Sequence, residues 1–359
     1  MRIAVLGGGN GAYAAAADLA GIGHEVHLWR RDRLALATLQ TTRTLSLKDA
    51  AGRRDVVLAG VSSDIGEAVR NSELIVVPTP AFAQDDIALA LAPHLADGQV
   101  IFLPPGTFGS VVMLRALRRA GCAAEVSIAE TGTLPWLARK HGASEVAITI
   151  RATRLPTGVF PARSAPQALP VLRAAFPSVE PIEDALAAAL MNAGPIIHPP
   201  LILMNAGPLE HFEAWDIHNE GTQPSIRRVT DALDRERVAI REALGYVGEH
   251  FPLSDHYLND RWMYGDAHKR LVDSGDWREH IVLTEHRYMT EDVHFGLAFM
   301  VSVADWAGVR APLASGLLAM AAAICGKDLR RGKRTLEALG LAGLSRAQMT
   351  TLLEQGEAA

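Results

Sequence analysis

The first half of the chain alternates short apolar runs with segments in which apolar residues recur at helical spacing. The runs at residues 2–6, 74–77 and 100–103 each end in a turn of glycine or proline residues. Apolar runs of this length predict strands buried on both faces, and strands separated by helices predict a parallel sheet that helices cover. We predict strands at residues 2–6, 25–29, 54–58, 74–77, 100–103, 126–129 and 146–150.

After a proline-rich stretch at residues 155–181 the strand pattern stops, and helical periodicity continues toward the end of the chain. This change predicts a domain boundary near Asp184. Residues 1–184 are expected to form an α/β domain and residues 185–359 an all-helical domain. The predicted helices of the second domain are residues 185–191, 226–244, 300–307, 313–324 and 335–341.

Composition restricts the class of protein and its partners. The chain has 359 residues, of which 49% are hydrophobic, enough for two domains with sizeable cores. A net charge of -5 without a long basic run argues against nucleic acid as a partner. Two cysteines and an N-terminus without a signal peptide favour the reducing cytoplasm. The longest apolar run, residues 313–325, is too short to span a bilayer, so no membrane partner is expected.

The segment Gly7–Ala12 follows the first predicted strand and has the form G-x-G-x-x-A. Gly7 permits a tight turn, Gly9 lets the backbone approach a pyrophosphate, and Ala12 lets the following helix pack closely on the strand. Phosphates would lie at the helix N-terminus, where free N–H groups favour negative charge. The first domain is therefore predicted to be a Rossmann dinucleotide-binding domain, the alternative being a glycine-rich turn without a ligand.

The second predicted strand ends in Arg30 and Arg31, where NAD-binding folds usually carry an acidic residue for the ribose hydroxyls. Two guanidinium groups suit a 2′-phosphate, which predicts NADPH as the cofactor. NADH stays open because Asp32 could reach the ribose instead, and the two arginines could also be a solvated strand end. The residues assigned to cofactor binding are Gly7, Gly9, Asn10, Gly11, Ala12, Arg30, Arg31 and Pro78.

A Rossmann domain followed by a helical domain suggests a dehydrogenase with its substrate held in a cleft. His198 is a single imidazole in an apolar, proline-flanked stretch, a setting that a hydrogen-bonded core histidine would share. A catalytic role needs a carboxylate to orient the ring and a cation for a substrate carboxylate. Asp292 and Arg287 offer these groups, although sequence spacing alone cannot bring the three residues together.

Two further polar clusters were considered. The cluster at residues 211–218 could hold a metal ion, but the H-E-x-x-H pattern is missing from the sequence and no metal is predicted. The alternative is that Trp215 and His218 line the pocket for the amino acid. Residues 130–133 either meet the substrate at the end of a strand or form a plain polar loop. The remaining scattered histidines, at positions 250, 256, 268, 280, 286 and 294, are interpreted as surface or supporting groups.

Together these motifs resemble the octopine/opine dehydrogenase family, which couples an amino acid to a 2-oxo acid by reductive amination. The resemblance covers most of the chain, and its specific part is the combination of the block around His198 with the R-Y-x-x-E-D-V block at Arg287. One departure is Arg30, because family members that use NADH carry an acidic residue there. The matching motifs are Gly7–Ala12, Val77-Pro78, Leu103–Gly106, Glu130-Thr131, Asn192–Ala206, Thr222–Ser225, Asp234–Arg237, Arg287–Leu297 and Arg334–Leu341.

The resemblance implies an NAD(P)-dependent oxidoreductase that acts on CH–NH groups. It implies that His198 is the acid/base, that Asp292 is its partner and that Arg287 binds the oxo-acid carboxylate. Thr131 and Asn205 are expected to contact substrate. The expected reaction is the NADPH-dependent condensation of an L-amino acid with a 2-oxo acid such as pyruvate to a secondary-amine dicarboxylate, and its reverse.

Two other functions stay open at this point. One is a dehydrogenase of a simple 2-oxo or hydroxy acid that needs no amine partner. The other is a non-catalytic module that senses NADPH. In each case small molecules are the expected partners, and the sequence leaves a homodimer open.

Overall fold

The computed structural model describes residues 1–254, 263, 269, 272–273 and 277–356. The predictions for His256 and His268 lie outside these residues. The chain divides into two compact units, Met1–Ala189 with the segment from Thr351 onward, and Leu190–Thr350. The predicted boundary near Asp184 stays a prediction. The helix that follows this residue, Ala185–Ala189, packs on strands of the first unit.

The first unit consists of alternating strands and helices, as the apolar pattern predicts. Its strands are β1 (Arg2–Leu6), β2 (Glu25–Trp29), β3 (Thr44–Asp49), β4 (Gly52–Val57), β5 (Gly60–Ser62), β6 (Leu74–Val76), β7 (Val100–Leu103), β8 (Ser127–Thr131), β9 (Trp136–His141), β10 (Glu145–Arg151), β11 (Leu155–Phe160) and β12 (Val179–Pro181). Its helices are α1 (Asn10–Gly21), α2 (Ala37–Thr42), α3 (Ile65–Val69), α4 (Gln84–Leu91), α5 (Gly109–Arg119), α6 (Ala165–Ala175) and α7 (Ala185–Ala189).

Eight strands form the main sheet, in the order β12-β11-β8-β7-β6-β1-β2-β5. All neighbours are parallel except β8 and β11, and the register pairs Val5 of β1 with Leu28 and Val76. The strands β1, β2, β6, β7 and β8 therefore end at one edge of the sheet, where open α/β sheets bind their ligands.

A second sheet, in the order β4-β3-β10-β9, is the main departure from the predicted single parallel sheet. The predicted strands at 54–58 and 146–150 belong to it rather than to the main sheet. Helix α1 contacts both sheets, so Ala12–Ala17 are buried on every side. The alanine content of α1 is explained by this position, because only small side chains fit a helix covered on two faces.

An ion-pair network ties the second sheet to α1. The carboxylate of Asp18 accepts hydrogen bonds from Trp136 Nε1 at 2.6 Å and from Arg151 at 2.7 and 2.9 Å. Arg151 also donates to Asp49 at 2.6 Å, and Arg54 donates to both oxygens of Asp49 at 2.8 and 2.9 Å. These arginines hold the pKa of the Asp49 carboxyl well below its usual range, against the opposing effect of burial.

In its described residues the second unit is helical apart from one pair of two-residue strands. Its elements are α8 (Gly194–Met204), α9 (Ala206–His211), β13 (Trp215–Asp216), α10 (Pro224–Ala243), β14 (Arg278–Glu279), a π-helix (Tyr288–Leu297), α11 (Ala298–Ala307), α12 (Pro312–Cys325) and the first part of α13 (Arg346–Gln355). The π-helix continues directly into α11. Helices of this kind are rare and often occur at functional sites.

The helix predicted at residues 335–341 is wrong. The structure has turns there, and a single helical turn is closed by the hydrogen bond from the Leu339 N–H to the Thr335 carbonyl at 3.0 Å. Gly340 ends that turn with a φ of +67°, a left-handed conformation that favours glycine. The apolar spacing that suggested a helix comes from Leu336 and Leu341, which are both buried.

The segment Ala185–Met204 is long and apolar enough to cross a membrane by length and composition. In the described part of the chain 83% of its most apolar window is buried within the protein, as in the core of a soluble protein.

Candidate active site

The glycine turn of the first unit exposes backbone rather than side chains. Gly7 has a φ of +137°, and a side chain there would also crowd Ala12 and Thr79 at 3.3 Å. Gly9 is the residue that precedes α1, and its missing Cβ faces open space, with nothing within 4 Å. No side chain caps this end of α1, so its first N–H groups are available to an anion. The open cradle fits the pyrophosphate of a dinucleotide.

The neighbouring strand ends frame this turn. Pro78 follows β6 and approaches Gly11 so closely that a Cβ on that glycine would lie 3.1 Å from the proline Cβ. The side chain of Asn10 points to the second sheet and accepts a hydrogen bond from the Lys140 N–H at 3.0 Å. The assignment of both residues to cofactor binding stays a prediction.

Arg30 lies directly over the glycine turn. A Cβ built on Gly8 would be 2.6 Å from Nε of Arg30, so only glycine leaves room for the guanidinium there. Asp32 is 3.8 Å away from this guanidinium, and its carboxylate also accepts a hydrogen bond from the Ala35 N–H at 3.1 Å. Arg31 is exposed and forms no ion pair with any described residue.

Lys140, which the sequence analysis did not select, lies close to Arg30. Its ammonium sits 4.6 Å from the centre of the Tyr13 ring on α1. Burial lowers the pKa of Lys140, and repulsion from Arg30 lowers it further. Burial raises the pKa of the Tyr13 phenol, and Arg30 opposes that rise. Two cations are thus held near each other beside the N-terminus of α1. The strand β9 contains no local motif that would have revealed this.

At the end of β8, Glu130 and Thr131 are both buried. Glu130 accepts hydrogen bonds from the N–H groups of Phe108 and Ser110 at 2.7 and 3.3 Å, and from the Ser110 hydroxyl. It therefore satisfies free donors at the start of α5. The Thr131 hydroxyl donates to the Pro156 carbonyl at 2.8 Å. The predicted contact of Thr131 with substrate stays a prediction.

In the second unit, α8 and the π-helix bring His198 and Asp292 together across 94 positions of sequence. Nδ1 of His198 is 2.7 Å from Oδ2 of Asp292, and the Asp292 side chain is only 5% exposed. The imidazole is 17% exposed, so part of the ring remains accessible. A hydrogen bond at Nδ1 leaves Nε2 as the ring nitrogen that can exchange a proton with a bound molecule.

Two glycines allow this close approach. A Cβ on Gly194 of α8 would lie 2.2 Å from Oδ1 of Asp292. A Cβ on Gly296 of the π-helix would lie 2.1 Å from Cγ of Pro195. Real Cβ atoms do not approach other atoms so closely, so the helix pair needs glycine at both positions.

Arg287 immediately precedes the π-helix, five positions before Asp292. Its side chain is exposed and forms no ion pair with the residues that the structure describes. A guanidinium in this state can receive a carboxylate in a two-pronged hydrogen bond.

Asn205 is buried at the end of α8, and its amide bonds with protein. It donates to the carbonyls of Leu201 and Gly221 at 2.9 and 3.1 Å, and its oxygen accepts from Trp215 Nε1 at 3.0 Å. The indole of Trp215 in turn stacks on Phe212 with 5.6 Å between ring centres. The predicted contact of Asn205 with substrate stays a prediction, and the observed bonds orient Trp215.

Among the described residues, no three His, Cys, Asp or Glu side chains gather as ligands for a metal ion. In the polar cluster at 211–218, Asp216 accepts hydrogen bonds from the N–H groups of His218 and Asn219 at 3.1 and 3.0 Å. Nε2 of His218 is 2.7 Å from the Tyr288 hydroxyl.

Comparisons with known proteins find related sequences along most of the chain. The family described as "NAD/NADP octopine/nopaline dehydrogenase, alpha-helical domain" matches residues 181–325. The family described as "NAD-dependent glycerol-3-phosphate dehydrogenase N-terminus" matches residues 2–104. The opine dehydrogenase of Arthrobacter sp. (strain 1C) is 28% identical over 365 residues, which cover 98% of each chain.

Solved structures share the fold. An octopine dehydrogenase in complex with NADH and agmatine has a TM-score of 0.74 at 19% identity, over 99% of this chain and 98% of that one. A yersinopine dehydrogenase with NADP+ bound has a TM-score of 0.67 at 17% identity, over 99% of this chain and 98% of that one.

Proposed function

Because this chain is a member of the opine dehydrogenase family, and so an NAD(P)-dependent oxidoreductase acting on CH–NH groups, we propose that it joins an L-amino acid to a 2-oxo acid. The product is a secondary-amine dicarboxylate, and the reaction also runs in reverse. Pyruvate is the proposed oxo acid, because a solved octopine dehydrogenase structure contains pyruvate with NADH. The bound agmatine and NADH of the octopine dehydrogenase structure support an amine as one substrate.

The observation that carries this proposal is the contact between His198 and Asp292. A buried carboxylate 2.7 Å from Nδ1 holds the imidazole in one tautomer and one orientation. Nε2 can then take a proton from the attacking ammonium group. It can return a proton to the hydroxyl that leaves as water when the imine forms.

Arg287 is the proposed anchor for the oxo acid. Its exposed guanidinium would bind the carboxylate and fix the adjacent carbonyl carbon relative to Nε2 of His198. The amine attacks that carbon, the protonated hydroxyl leaves as water, and the carbon of the resulting iminium ion, whose nitrogen still bears one proton, accepts a hydride. When bound, NADPH supplies this hydride, and the product nitrogen keeps one proton.

For the cofactor we propose NADPH, bound through Gly7, Gly9 and the N-terminus of α1. Arg30 and Lys140 would hold the 2′-phosphate, because a dianion replaces the repulsion between these two cations by attraction. Arg31 is exposed beside them and can add a third cation. The yersinopine dehydrogenase binds NADP+ and the octopine dehydrogenase binds NADH, so both cofactors occur on this fold and the preference rests on Arg30 and Lys140. The reducing cytoplasm is the proposed compartment, and both cysteines have free thiols.

The test is oxidation of NADPH by the purified protein with pyruvate or 2-oxoglutarate, each with and without a panel of amino acids. We expect oxidation only when both substrates are present. Oxidation with the oxo acid alone would point to a simple oxo-acid reductase. Tight NADPH binding without oxidation in any mixture would point to a sensing module.

The assignment of His198 is tested by His198→Ala. We expect turnover to fall by about 10²–10⁴-fold while the affinity for NADPH is unchanged. The matched control is His280→Ala, because that ring is exposed and its one hydrogen bond to a described residue is with the Glu213 carbonyl, at 3.1 Å. Wild-type turnover in His198→Ala would refute the assignment.

A further inference from the structure

The ring of Tyr288 lies flat on the imidazole of His198. The two ring centres are 3.7 Å apart and the planes differ by 8°. Tyr288 begins the π-helix and lies four positions before Asp292, so both residues lie on the same face of that helix. The imidazole therefore contacts a carboxylate through Nδ1 and an aromatic ring through one of its faces.

The position of the Tyr288 ring is itself fixed on several sides. Its hydroxyl is 2.7 Å from Nε2 of His218, which is buried. His218 packs edge-on against Trp277 with 5.0 Å between ring centres. His286 packs edge-on against Tyr288 at 4.4 Å. Tyr288 is 5% exposed, so few alternative rotamers are open to it.

A hydrogen bond at Nδ1 alone leaves the imidazole free to rock about the axis of that bond. Such rocking swings Nε2 through an arc, and a displacement of about 1 Å at a reacting group can cost about 100-fold in rate. A ring stacked on the imidazole face removes this freedom, because tilting would separate the two surfaces or drive them into each other.

We propose that Tyr288 is a positioning residue that sets the plane of the His198 ring, with His218 holding the Tyr288 hydroxyl. Asp292 then fixes the direction of the ring within its plane, and Tyr288 fixes the tilt of that plane. The assignment rests on the proposed function of His198 as proton carrier. It adds a second support that acts through geometry and not through charge.

Two variants separate the ring from its hydroxyl. Tyr288→Leu removes the stacked ring, and we expect kcat to fall about 100-fold while the affinity for NADPH is unchanged. Tyr288→Phe keeps the ring, and we expect kcat to recover to within about tenfold of wild type. The matched control is Tyr246→Leu, which removes another buried tyrosine of the same unit. We expect this control to lower stability and leave kcat within about twofold.

A spectroscopic measurement tests the stack without turnover. In the wild type, the Cε1–H resonance of His198 should be shifted upfield by the ring current of Tyr288. The resonance is assigned by its loss in His198→Ala. The shift should persist in Tyr288→Phe and disappear in Tyr288→Leu. An unshifted resonance in the wild type overturns the proposal, whether or not the two Tyr288 variants fold.

The variants distinguish failure of the positioning role of Tyr288 from failure of the proposed function of His198. If Tyr288→Leu turns over within about twofold of wild type while His198→Ala is inactive, the positioning role is wrong and the proposed function stands. If His198→Ala keeps wild-type turnover, the proposed function fails. The positioning role in catalysis then fails with it, even where the ring-current shift shows the stack to be present.

Discussion

The two candidate sites of this protein differ in the chemical groups that form them. In the first unit the glycine turn offers backbone N–H groups and empty space, and the cations Arg30 and Lys140 lie at its rim. In the second unit the candidate catalytic groups are side chains. The His198 ring contacts the carboxylate of Asp292 and stacks on the ring of Tyr288. A site made of backbone groups loses affinity when a substitution adds volume beside it. A site made of side chains loses activity when a substitution removes or reorients a functional group.

Glycine has a different task in each site as a result. Gly9 keeps a volume open for a ligand that comes from outside. Gly194 and Gly296 keep a volume open for the protein itself, because helix pairs fill that space. The same substitution to alanine should therefore impair ligand binding in the first unit and impair internal geometry in the second.

The largest effect is expected at Gly194. The Cβ of Gly194→Ala would lie 2.2 Å from Oδ1 of Asp292, so either that carboxylate or α8 must shift. We expect kcat to fall about 100-fold because Nε2 of His198 is displaced, although alanine usually favours a helix over glycine. NADPH affinity should not change. The measurements are steady-state kinetics and cofactor titration.

The matched control for Gly194→Ala is Gly207→Ala in the neighbouring helix α9, where an added Cβ has nothing within 4 Å. It should retain wild-type kcat and stability to within experimental error. Wild-type kcat in Gly194→Ala would mean that α8 and the π-helix tolerate a methyl group between them. Equal losses in the two variants would show that the effect is not specific to Gly194.

The next effect is expected at Gly9. Its backbone is extended, with a φ of -89°, and nothing in the protein occupies the position of the Cβ. Gly9→Ala should therefore fold with wild-type stability to within about 1 kcal/mol. NADPH affinity should fall about 30-fold, or about 2 kcal/mol, because the methyl group meets the pyrophosphate.

Gly21→Ala at the other end of α1 is the control for this position, since its Cβ would make only an ordinary contact of 3.9 Å with Val56. It should bind NADPH like the wild type. Unchanged affinity in Gly9→Ala would show that the open space beside this glycine is not where the cofactor binds.

The difference between the two sites also explains what the sequence could predict. The glycine turn, β1, β2 and Arg30 are contiguous, so local pattern contains the information that matters. His198 and Asp292 could be selected as candidates, but their contact depends on how closely α8 approaches the π-helix. Nothing in the local pattern measures that distance.

The contacts that the sequence did not predict share one property, because each joins residues that are distant in sequence. Lys140 reaches Tyr13 because the second sheet packs on α1, and His218 reaches Tyr288 across 70 positions. The spacing of four between Tyr288 and Asp292 was a usable signal, since it places an aromatic ring and a carboxylate on one helical face. The second sheet was missed because β3 and β9 were not predicted, while β4 and β10 were predicted but assigned to the main sheet.

A smaller effect, on cofactor preference, is expected when the cations beside the glycine turn are substituted and the turn itself is unchanged. Arg30→Asp and Lys140→Met should each lower the preference for NADPH over NADH about tenfold, because a charge-assisted bond to the 2′-phosphate is lost. The measurement is kcat/KM with each cofactor, together with calorimetric titration by 2′,5′-ADP and 5′-ADP. A preference unchanged by both substitutions would place the 2′-phosphate elsewhere.

The smallest effects concern the response of the two units to acid, which should differ in sign. In the first unit the pKa of Asp49 is lowered, chiefly by its bonds to Arg54. Its ionised form therefore stabilises the fold at every pH above the unfolded pKa of about 3.9, and this contribution is lost only as the pH falls further. In the second unit burial raises the pKa of Asp231, whose buried Oδ1 accepts no hydrogen bond from a described residue. Its ionised form opposes folding at neutral pH, and protonation removes that cost as the pH falls toward about 4.

Asparagine substitutions turn this contrast into a measurement. Asp49→Asn should lower the free energy of unfolding by about 1 kcal/mol at pH 7. That deficit should persist at pH of about 4 and shrink only below it, because the folded pKa lies under the unfolded one. Asp231→Asn should raise the free energy of unfolding by about 0.5 kcal/mol at pH 7, and its advantage should vanish by pH of about 4. Urea denaturation measures the free energy of unfolding of each variant. Hydrogen exchange in β3 and α10 shows which unit each substitution stabilises or destabilises. If both variants shifted in the same direction at pH 7, burial and ion pairing would have been assigned to the wrong carboxylates.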